Sequence, residues 1–362
     1  MTYFSPMGLE DFLNMHKEAI DAALKDFLSE KLTQGSEISP VIRDLLKNLE
    51  EYNLRGGKRM RPVLVLAGYM AAGNEINDDI IRASIAPELM HNYFLAHDDI
   101  MDRGEMRRGK PSLHKIYEKL AQKNRWSDTE HFGESFGIMG GDFLWSWGVE
   151  AILGAGFSEE RTIAAVQKYA ELNEMTGQGQ ALDVWTSKLA ISKVKEKDLL
   201  KIHKYKTAHY TVEGPLHLGA ILGGATPQDL AVLTAYALPL GLAFQLQDDL
   251  LGVFGESDKT GKSNLDDLRE GKRTLLVIEA YKRAKPAGRK YLDKYVGNPH
   301  LTQSQADRIR SIIEETGSRA YSEKKRDELA QQAIVTVDNS HFGADVKGIL
   351  IETAKYLTKR NK

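Results

Sequence analysis

Three aspartates within five residues form the first pattern in this sequence that could do chemistry. In the segment DDIMD, Asp98 and Asp102 lie about 40° apart on a helix that turns about 100° per residue, with Asp99 flanking them. Carboxylates this close repel one another unless a cation neutralises them. The segment from Ile85 to Leu95 is apolar around most of its circumference, which favours a buried helix ending in a cleft over a solvated acidic helix end.

A second acidic cluster, Asp248 and Asp249, again follows an apolar stripe. Phe244 lies one turn before Asp248, as Phe94 lies one turn before Asp98. Two such similar arrangements are hard to attribute to chance surface charge. Oxygen ligands presented from helices suit Mg²⁺, which keeps several waters and shares its coordination with phosphate oxygens. The sequence has no HExxH motif and no cysteine, so zinc is a poor alternative.

Basic residues near these clusters could bind phosphate charge. The segment GGKRMRP at 56–62 combines a glycine pair with three cations ahead of a proline typical of a helix start, so its backbone could approach an anion closely. Each cation taken alone would be a surface salt-bridge residue, but together they could serve two diphosphates. The set is Lys58, Arg59, Arg61, Arg107, Arg108, Lys206, Lys262 and Lys272.

Composition narrows the class of protein. The chain has 362 residues and a formal net charge of -2, which argues against a general binder of nucleic acid or anionic membranes. The absence of cysteine excludes disulfides and a cysteine nucleophile. No signal-like segment opens the chain, and the apolar run Leu230–Phe244 is too short and too interrupted for a membrane span. We therefore expect a cytoplasmic protein in which that run is a buried core helix.

The elements that position these residues are predicted to be helices. Apolar residues recur at spacings of three and four, and alternating strand patterns are scarce, which predicts an all-α fold. Ser304 with Asp307 resembles a capping box, and the polar stretch 122–134 resembles a surface loop. We expect one domain over 1–362, with the motifs in a core of about 50–285 and peripheral helices at 286–362. There is no P-loop and no GxGxxG motif, which leaves phosphate chemistry on a helical scaffold.

The order of the motifs resembles the trans-isoprenyl diphosphate synthases, the polyprenyl synthetase family, of the short-chain type. The matching segments are GGKRMRP (56–62), HDDIMDRGEMRRGKPSLH (97–114), GQALD (179–183), KTA (206–208), FQLQDDLLGVFG (244–255), TGK (260–262) and REGK (269–272). The resemblance implies an isoprenoid synthase fold of core helices around a deep cavity, as a homodimer. It also implies condensation of isopentenyl diphosphate with dimethylallyl, geranyl or farnesyl diphosphate to give farnesyl or geranylgeranyl diphosphate.

The same resemblance assigns roles residue by residue. Three Mg²⁺ ions would clamp the allylic diphosphate through Asp98, Asp102 and Asp248, with Asp99 and Asp249 supporting. The residues implied to bind that diphosphate are Arg107, Lys206, Thr207, Gln245, Lys262 and Lys272. Those implied to bind isopentenyl diphosphate are Lys58, Arg61, His91 and Arg108, with Gly57 beside them in the binding loop. Catalysis would then rest on Asp98, Asp99, Asp102, Arg107, Lys206, Asp248 and Asp249, and the released diphosphate would accept the proton.

Three further positions bear on fine tuning of the site and on product length. Gly252 stands where many members of the family carry a third aspartate of the second motif. Tyr93 and Phe94 precede the first motif where the family floors its cavity, and Phe94 lies nearly beneath Asp98 on the helical wheel. Two aromatic residues resemble the C15 pattern, so we expect a C15 product first and C20 close behind.

Two other functions stay open on the sequence. A class I terpene cyclase would share the fold and one acidic motif, but it binds no second diphosphate and would have no use for Lys58, Arg61 and His91. A non-catalytic subunit of a heteromeric synthase would be expected to have lost acidic or arginine motif residues, whereas this chain has both sets.

Overall fold

The computed structural model describes residues 7–255 and 264–359, and within them nearly all regular structure is helical. This confirms the all-α class; Lys262 lies outside the described residues. The α-helices are α1 (Leu9–Gly35), α2 (Pro40–Leu54), α3 (Met60–Ala71), α4 (Asp78–Ser84), α5 (Ala86–Met101), α6 (Leu113–Lys123), α7 (Thr129–Leu153), α8 (Glu159–Ser187), α9 (Glu196–His203), α10 (Gly214–Gly223), α11 (Pro227–Phe254), α12 (Asp266–Glu270), α13 (Leu275–Arg283), α14 (Pro286–Tyr295), α15 (Gln303–Glu315), α16 (Ser318–Asp338) and α17 (Ala344–Lys359).

Three short elements complete the described structure. A 3₁₀ turn covers Ile191–Lys193, and a π-helix covers Lys204–Glu213 between α9 and α10. Strands β1 (Met106–Arg107) and β2 (Lys110–Pro111) form an antiparallel hairpin directly after α5. The hairpin therefore carries the two arginines that follow the first acidic cluster.

Two local expectations from the sequence need correction. The capping box of α15 is formed by Thr302 and Gln305, not by Ser304 and Asp307, because the Thr302 side chain accepts from the Gln305 backbone N–H and Gln305 returns the contact. The predicted loop at 122–134 is shorter, since α6 extends to Lys123 and α7 begins at Thr129. A polar composition is typical of exposed helix ends as well as of loops, so composition alone made this loop too long.

The described chain divides into two compact units. The first, here the N-terminal unit, contains residues 10–169 and 215–226; the second, the C-terminal unit, contains residues 7–9, 170–214, 227–255 and 264–359. The first acidic cluster belongs to the N-terminal unit and the second to the C-terminal unit. A single domain over 1–362 stays a prediction.

In the N-terminal unit, glycines of α7 allow a close approach of α5. A Cβ atom on Gly141 would lie 2.4 Å from Nε2 of His97, and one on Gly137 would lie 2.8 Å from Cδ1 of Ile100. Both contacts lie at the end of α5 that carries the aspartates. Because interiors are close-packed, these glycines fix where that helix end sits.

In the C-terminal unit, glycines likewise bring two helices against the π-helix. A Cβ atom on Gly241 of α11 would lie 2.5 Å from Cβ of Ala208, and one on Gly179 of α8 would lie 2.2 Å from the backbone N of Lys206. Both α8 and α11 are thus packed directly against the π-helix backbone. This packing positions Lys206 and Thr207.

Helix α11 contains the apolar run 230–244. Among the described residues it is the one helix long and apolar enough to cross a membrane by length and composition, with a mean hydropathy of 1.4 over the best window. It packs against α16 and the π-helix, and its buried residues include Leu233, Leu240 and Asp249. Core helices of globular proteins pass the same test of length and composition.

Candidate active site

The aspartates of the first cluster have different surroundings. Asp98 lies in the last turn of α5 and Asp102 ends the helix, where its N–H donates to the Asp98 carbonyl at 2.8 Å. Both are partly exposed, whereas Asp99 is only 1% exposed. The helical spacing predicted this division, with Asp98 and Asp102 on one face and Asp99 to the side.

The Asp99 carboxylate is bound by Arg107 of the hairpin. Arg107 donates from Nε to both carboxylate oxygens at 3.1 and 3.2 Å, and its Nη2 contacts Oδ1. The Tyr52 hydroxyl donates to Oδ2 at 3.5 Å. Burial opposes ionisation of Arg107, but its hydrogen bonds to Asp99 and the charge of that carboxylate raise the pKa of the guanidinium. Asp99 therefore positions an arginine from inside the protein.

The hairpin itself is tied to α2. Arg55 donates from Nη1 to the backbone oxygens of Arg107 at 3.3 Å and Pro111 at 2.8 Å. The tight turn passes through Arg108 and Gly109, which have φ angles of 53° and 74°. These contacts fix where the backbone presents both arginines.

The glycine-rich basic loop contains one structural arginine. Arg59 is buried, and it binds Glu88 from Nη1 and Asp21 from Nε, each at 2.7 Å. Lys58 beside it is exposed. Gly57 has a φ of 141°, which L side chains rarely adopt, so this glycine lets the loop turn just before the two cations.

The same buried glutamate approaches the predicted isopentenyl diphosphate set. Nη2 of Arg108 lies 4.0 Å from Oε1 of Glu88, and its Nη1 donates to the Gly56 carbonyl at 2.8 Å. His91 is close enough to Arg61 and Arg108 that burial first, and then their charges, lower its pKa well below the usual value. The structure thus brings His91, Arg61 and Arg108 together near the loop that carries Lys58.

The pKa of His91 makes stability depend on pH. Because burial and the charges of Arg59, Arg61, Arg107 and Arg108 lower its pKa in the fold, the unfolded chain takes up the proton first, from about pH 6.5 downwards. The free energy of unfolding should fall as the pH is lowered from 7 to 5, by up to about 1.4 kcal/mol per pH unit for this proton.

Urea unfolding at pH 5, 6 and 7 checks this expectation. His91→Asn should reduce the decline below pH 6.5, whereas replacing the exposed His300 with glutamine should leave it unchanged. An unchanged decline in His91→Asn would place the titration elsewhere.

The second cluster repeats the arrangement of the first. Asp248 on α11 is partly exposed and Asp249 is buried. Gln245 donates from Nε2 to Oδ1 of Asp249 at 3.0 Å and accepts at Oε1 from the Thr207 hydroxyl at 2.6 Å. Nε2 of His203 lies 3.4 Å from Oδ2 of Asp249. Burial, with a smaller contribution from nearby carboxylates, raises the pKa of Asp249 to about 7.

The two predicted lysines that the structure describes in the C-terminal unit each have a carboxylate partner. Lys206 lies with its Nζ 2.6 Å from Oδ2 of Asp183, the last residue of GQALD. Lys272 lies 2.9 Å from Oδ1 of Asp267 and 2.8 Å from Oε2 of Glu270. The sequence predicted no role for Asp183, Asp267 or Glu88. Asp267 lies five residues before Lys272 and could have been found from that motif, whereas Asp183 and Glu88 lie 23 and 29 residues from the cations they bind.

The chemistry of the exposed carboxylates suits Mg²⁺. Asp98, Asp102 and Asp248 offer oxygen donors from helices, and Mg²⁺ is commonly bound by one or two carboxylates together with substrate phosphate oxygens and water. Among the described residues, no group of three or more His, Cys, Asp or Glu is arranged to hold a metal ion by itself. The carboxylates that could bind Mg²⁺ are thus the pair Asp98 and Asp102 at the end of α5 and the single Asp248 on α11.

The two aromatic residues before the first cluster pack against each other, and Tyr93 also packs against His97. The Tyr93 ring lies 4.8 Å from the His97 ring, and His97 is the residue that Gly141 of α7 admits. Phe94 lies one turn before Asp98, and its ring centroid is 4.8 Å from that of Tyr93. On the helical wheel Phe94, and not Tyr93, shares the face of Asp98, and this assignment stays a prediction.

The model of the polyprenyl synthetase family matches residues 43–316, and the chain belongs to that family. It is 32% identical over 296 residues to the short chain isoprenyl diphosphate synthase of Methanothermobacter thermautotrophicus, covering 81% of each chain. It is 29% identical to the geranylgeranyl diphosphate synthase of Methanosarcina mazei over 98% of each. A crystal structure of geranylgeranyl pyrophosphate synthase from Corynebacterium glutamicum, complexed with isoprenyl diphosphate and magnesium, has a TM-score of 0.90 and 31% identity, covering 98% of this chain and 100% of that one.

Proposed function

We propose that this protein is a short-chain trans-prenyltransferase that condenses isopentenyl diphosphate with an allylic diphosphate. The observation that carries the proposal is the repeated pattern of the acidic clusters, in which one aspartate is partly exposed and the next is buried and hydrogen-bonded to a side chain that we propose binds diphosphate. The names of the relatives support it, since they are short-chain, geranylgeranyl or geranylfarnesyl diphosphate synthases.

The reaction requires a site that stabilises the negative charge of the departing diphosphate. The C–O bond of the allylic diphosphate breaks, leaving an allylic cation and free diphosphate. The terminal alkene carbon of isopentenyl diphosphate then bonds to the allylic carbon, which leaves a tertiary cation on C3. The released diphosphate takes a proton from C2, and a new double bond forms between C2 and C3. Mg²⁺ held by Asp98, Asp102 and Asp248 would neutralise the leaving diphosphate, with three ions expected.

The protein's own cations complete that neutralisation. Arg107, Lys206 and Lys272 are each held by a carboxylate, so their charges are in place before the substrate arrives. Preorganised charges cost little reorganisation when the transition state forms, which is why they contribute strongly to catalysis. Burial first, and then the charges of its arginine neighbours, lower the pKa of His91, so it adds no further positive charge to the isopentenyl diphosphate set near neutral pH.

A second copy of this chain is the proposed partner. Helix α7 exposes Ile138, Met139 and Phe143, which are 46%, 43% and 37% exposed. Met139 and Phe143 lie one turn apart on one face, and Ile138 lies beside that face. Contiguous exposed apolar side chains are typical of protein interfaces. We propose that this face contributes to a homodimer, and that the enzyme works in the cytoplasm.

Product analysis tests the function directly. The purified protein is incubated with Mg²⁺, labelled isopentenyl diphosphate and dimethylallyl, geranyl or farnesyl diphosphate in turn, and the product alcohols are separated after dephosphorylation. C15 or C20 alcohols that disappear with a chelator support the proposal. A cyclic hydrocarbon formed without consuming isopentenyl diphosphate would indicate a terpene cyclase, and activity only after adding a partner subunit would indicate a heteromeric enzyme.

Product length should depend on Phe94. Phe94→Ala removes a large side chain from the face of α5 that carries Asp98, so a growing chain can extend further. We expect longer alcohols from this variant, measured by the same chromatography. Tyr93→Ala is the matched control, because Tyr93 packs toward His97; it should shift the product less. An unchanged length in Phe94→Ala would reject Phe94 as the stop.

A further inference from the structure

The two acidic clusters of this chain differ at one position. The first has carboxylates at Asp98, Asp99 and Asp102, whereas the second has Asp248 and Asp249 followed by Gly252 at the place that corresponds to Asp102. Residues four apart on a helix lie on the same face, with Cβ atoms about 5–6 Å apart. The face of α11 that carries Asp248 therefore lacks a carboxylate of its own one turn later.

The space beside Gly252 is filled by a carboxylate from another helix. A Cβ atom on Gly252 would lie 1.8 Å from Oδ2 of Asp267 and 2.9 Å from its Cγ. No side chain can be added at 252 unless the Asp267 carboxylate moves away. Asp267 belongs to the first turn of α12, which packs against α11.

The other oxygen of Asp267 binds a predicted substrate-binding lysine. Nζ of Lys272 lies 2.9 Å from Oδ1, and the Lys272 backbone N–H donates to the Asp267 carbonyl at 3.1 Å. Gly271, with a φ of 76°, makes the turn that brings Lys272 back over α12. Asp267 thus places one oxygen at the gap in the acidic face and the other on the lysine.

We propose that Asp267 supplies, from α12, the carboxylate that the second cluster lacks at position 252, and that Gly252 is the residue that admits it. Asp267 is then a positioning residue that joins Lys272 to the acidic face of α11. This inference rests on the proposed function, because the ligand of that face is taken to be Mg²⁺ with a diphosphate.

Relocating the carboxylate tests the proposal. Three single variants disturb the placement of the Asp267 carboxylate beside Gly252: Gly252→Ala, Gly252→Asp and Asp267→Ala. Each should raise the Mg²⁺ concentration for half-maximal activity about 10-fold or more. Gly252→Asp combined with Asp267→Ala puts the carboxylate back on the same face, and should recover most of that loss. The second readout is the rise in melting temperature on adding Mg²⁺ with inorganic diphosphate, which should shrink in the single variants and return in the double variant.

The controls separate this inference from folding and from the proposed function. Alanine favours a helix more than glycine does, so a loss in Gly252→Ala cannot come from a weaker α11. Asp266→Asn alters the neighbouring carboxylate of α12 and should behave as the wild type. A double variant no better than the single variants would overturn the proposal, whereas a wild type without prenyl transfer would overturn the proposed function instead.

Discussion

Asp98→Ala should lower turnover by about 100-fold or more, the usual scale for losing a major stabiliser of transition-state charge. Its carboxylate is partly exposed at the end of α5, and the proposed reaction needs Mg²⁺ there when the diphosphate leaves. The loss should appear in kcat and persist when substrates are saturating. Wild-type turnover in this variant would remove Asp98 from the proposed metal site.

The same variant should change stability little. Asp98 lies in the last turn of α5, where the helix dipole disfavours a negative charge but the charge of Arg107 favours it, so its removal should change the free energy of unfolding by no more than about 1 kcal/mol. Urea unfolding measured beside steady-state kinetics separates the two effects. A variant that lost both activity and stability would show that Asp98 also supports the fold.

Asp99→Ala should have the opposite signature and lower the free energy of unfolding by about 3–5 kcal/mol. Asp99 is 1% exposed and the Arg107 side chain only 13%, so the substitution leaves a buried guanidinium without its carboxylate. The expected result is a clearly lower urea midpoint, with Asp98→Ala as the adjacent control. An equal midpoint in the two variants would contradict the buried ion pair.

A double-mutant cycle keeps this prediction testable if Asp99→Ala folds poorly. Removing both charges, in Asp99→Ala combined with Arg107→Ala, leaves no unpaired buried ion, so the double variant should be more stable than Asp99→Ala alone. Additive losses in the cycle would mean that the two residues do not interact. Activity should be low in the double variant, because Arg107 is proposed to bind diphosphate.

Much of the acidic part of the site could be predicted from helical spacing. Asp98 and Asp102 share a face because residues four apart do so in any α-helix, and the apolar residues before them showed which face was buried. The partner of Asp99 could not be deduced in this way. Arg107 reaches it only because the hairpin turns back at Arg108 and Gly109, and that turn depends on a left-handed backbone at a residue other than glycine.

The basic part of the site was harder to divide into roles. Three cations stand close together in GGKRMRP, and spacing alone does not say that Arg59 is buried while Lys58 is exposed. The distinction comes from Glu88 and Asp21, which lie on other helices and pair with Arg59. Contacts between residues far apart in the chain decide such roles, and periodicity does not report them.

The π-helix at Lys204–Glu213 limits which insertions and deletions the site can accept during evolution. A π segment holds one residue more than the α-helix it interrupts, and one residue corresponds to about 100° of rotation. Losing a single residue there would restore ordinary pitch, but it would rotate Lys206 and Thr207, which contact Asp183 and Gln245, relative to a flanking helix. Length in this stretch should therefore be constrained more tightly than the identity of its outward-facing residues.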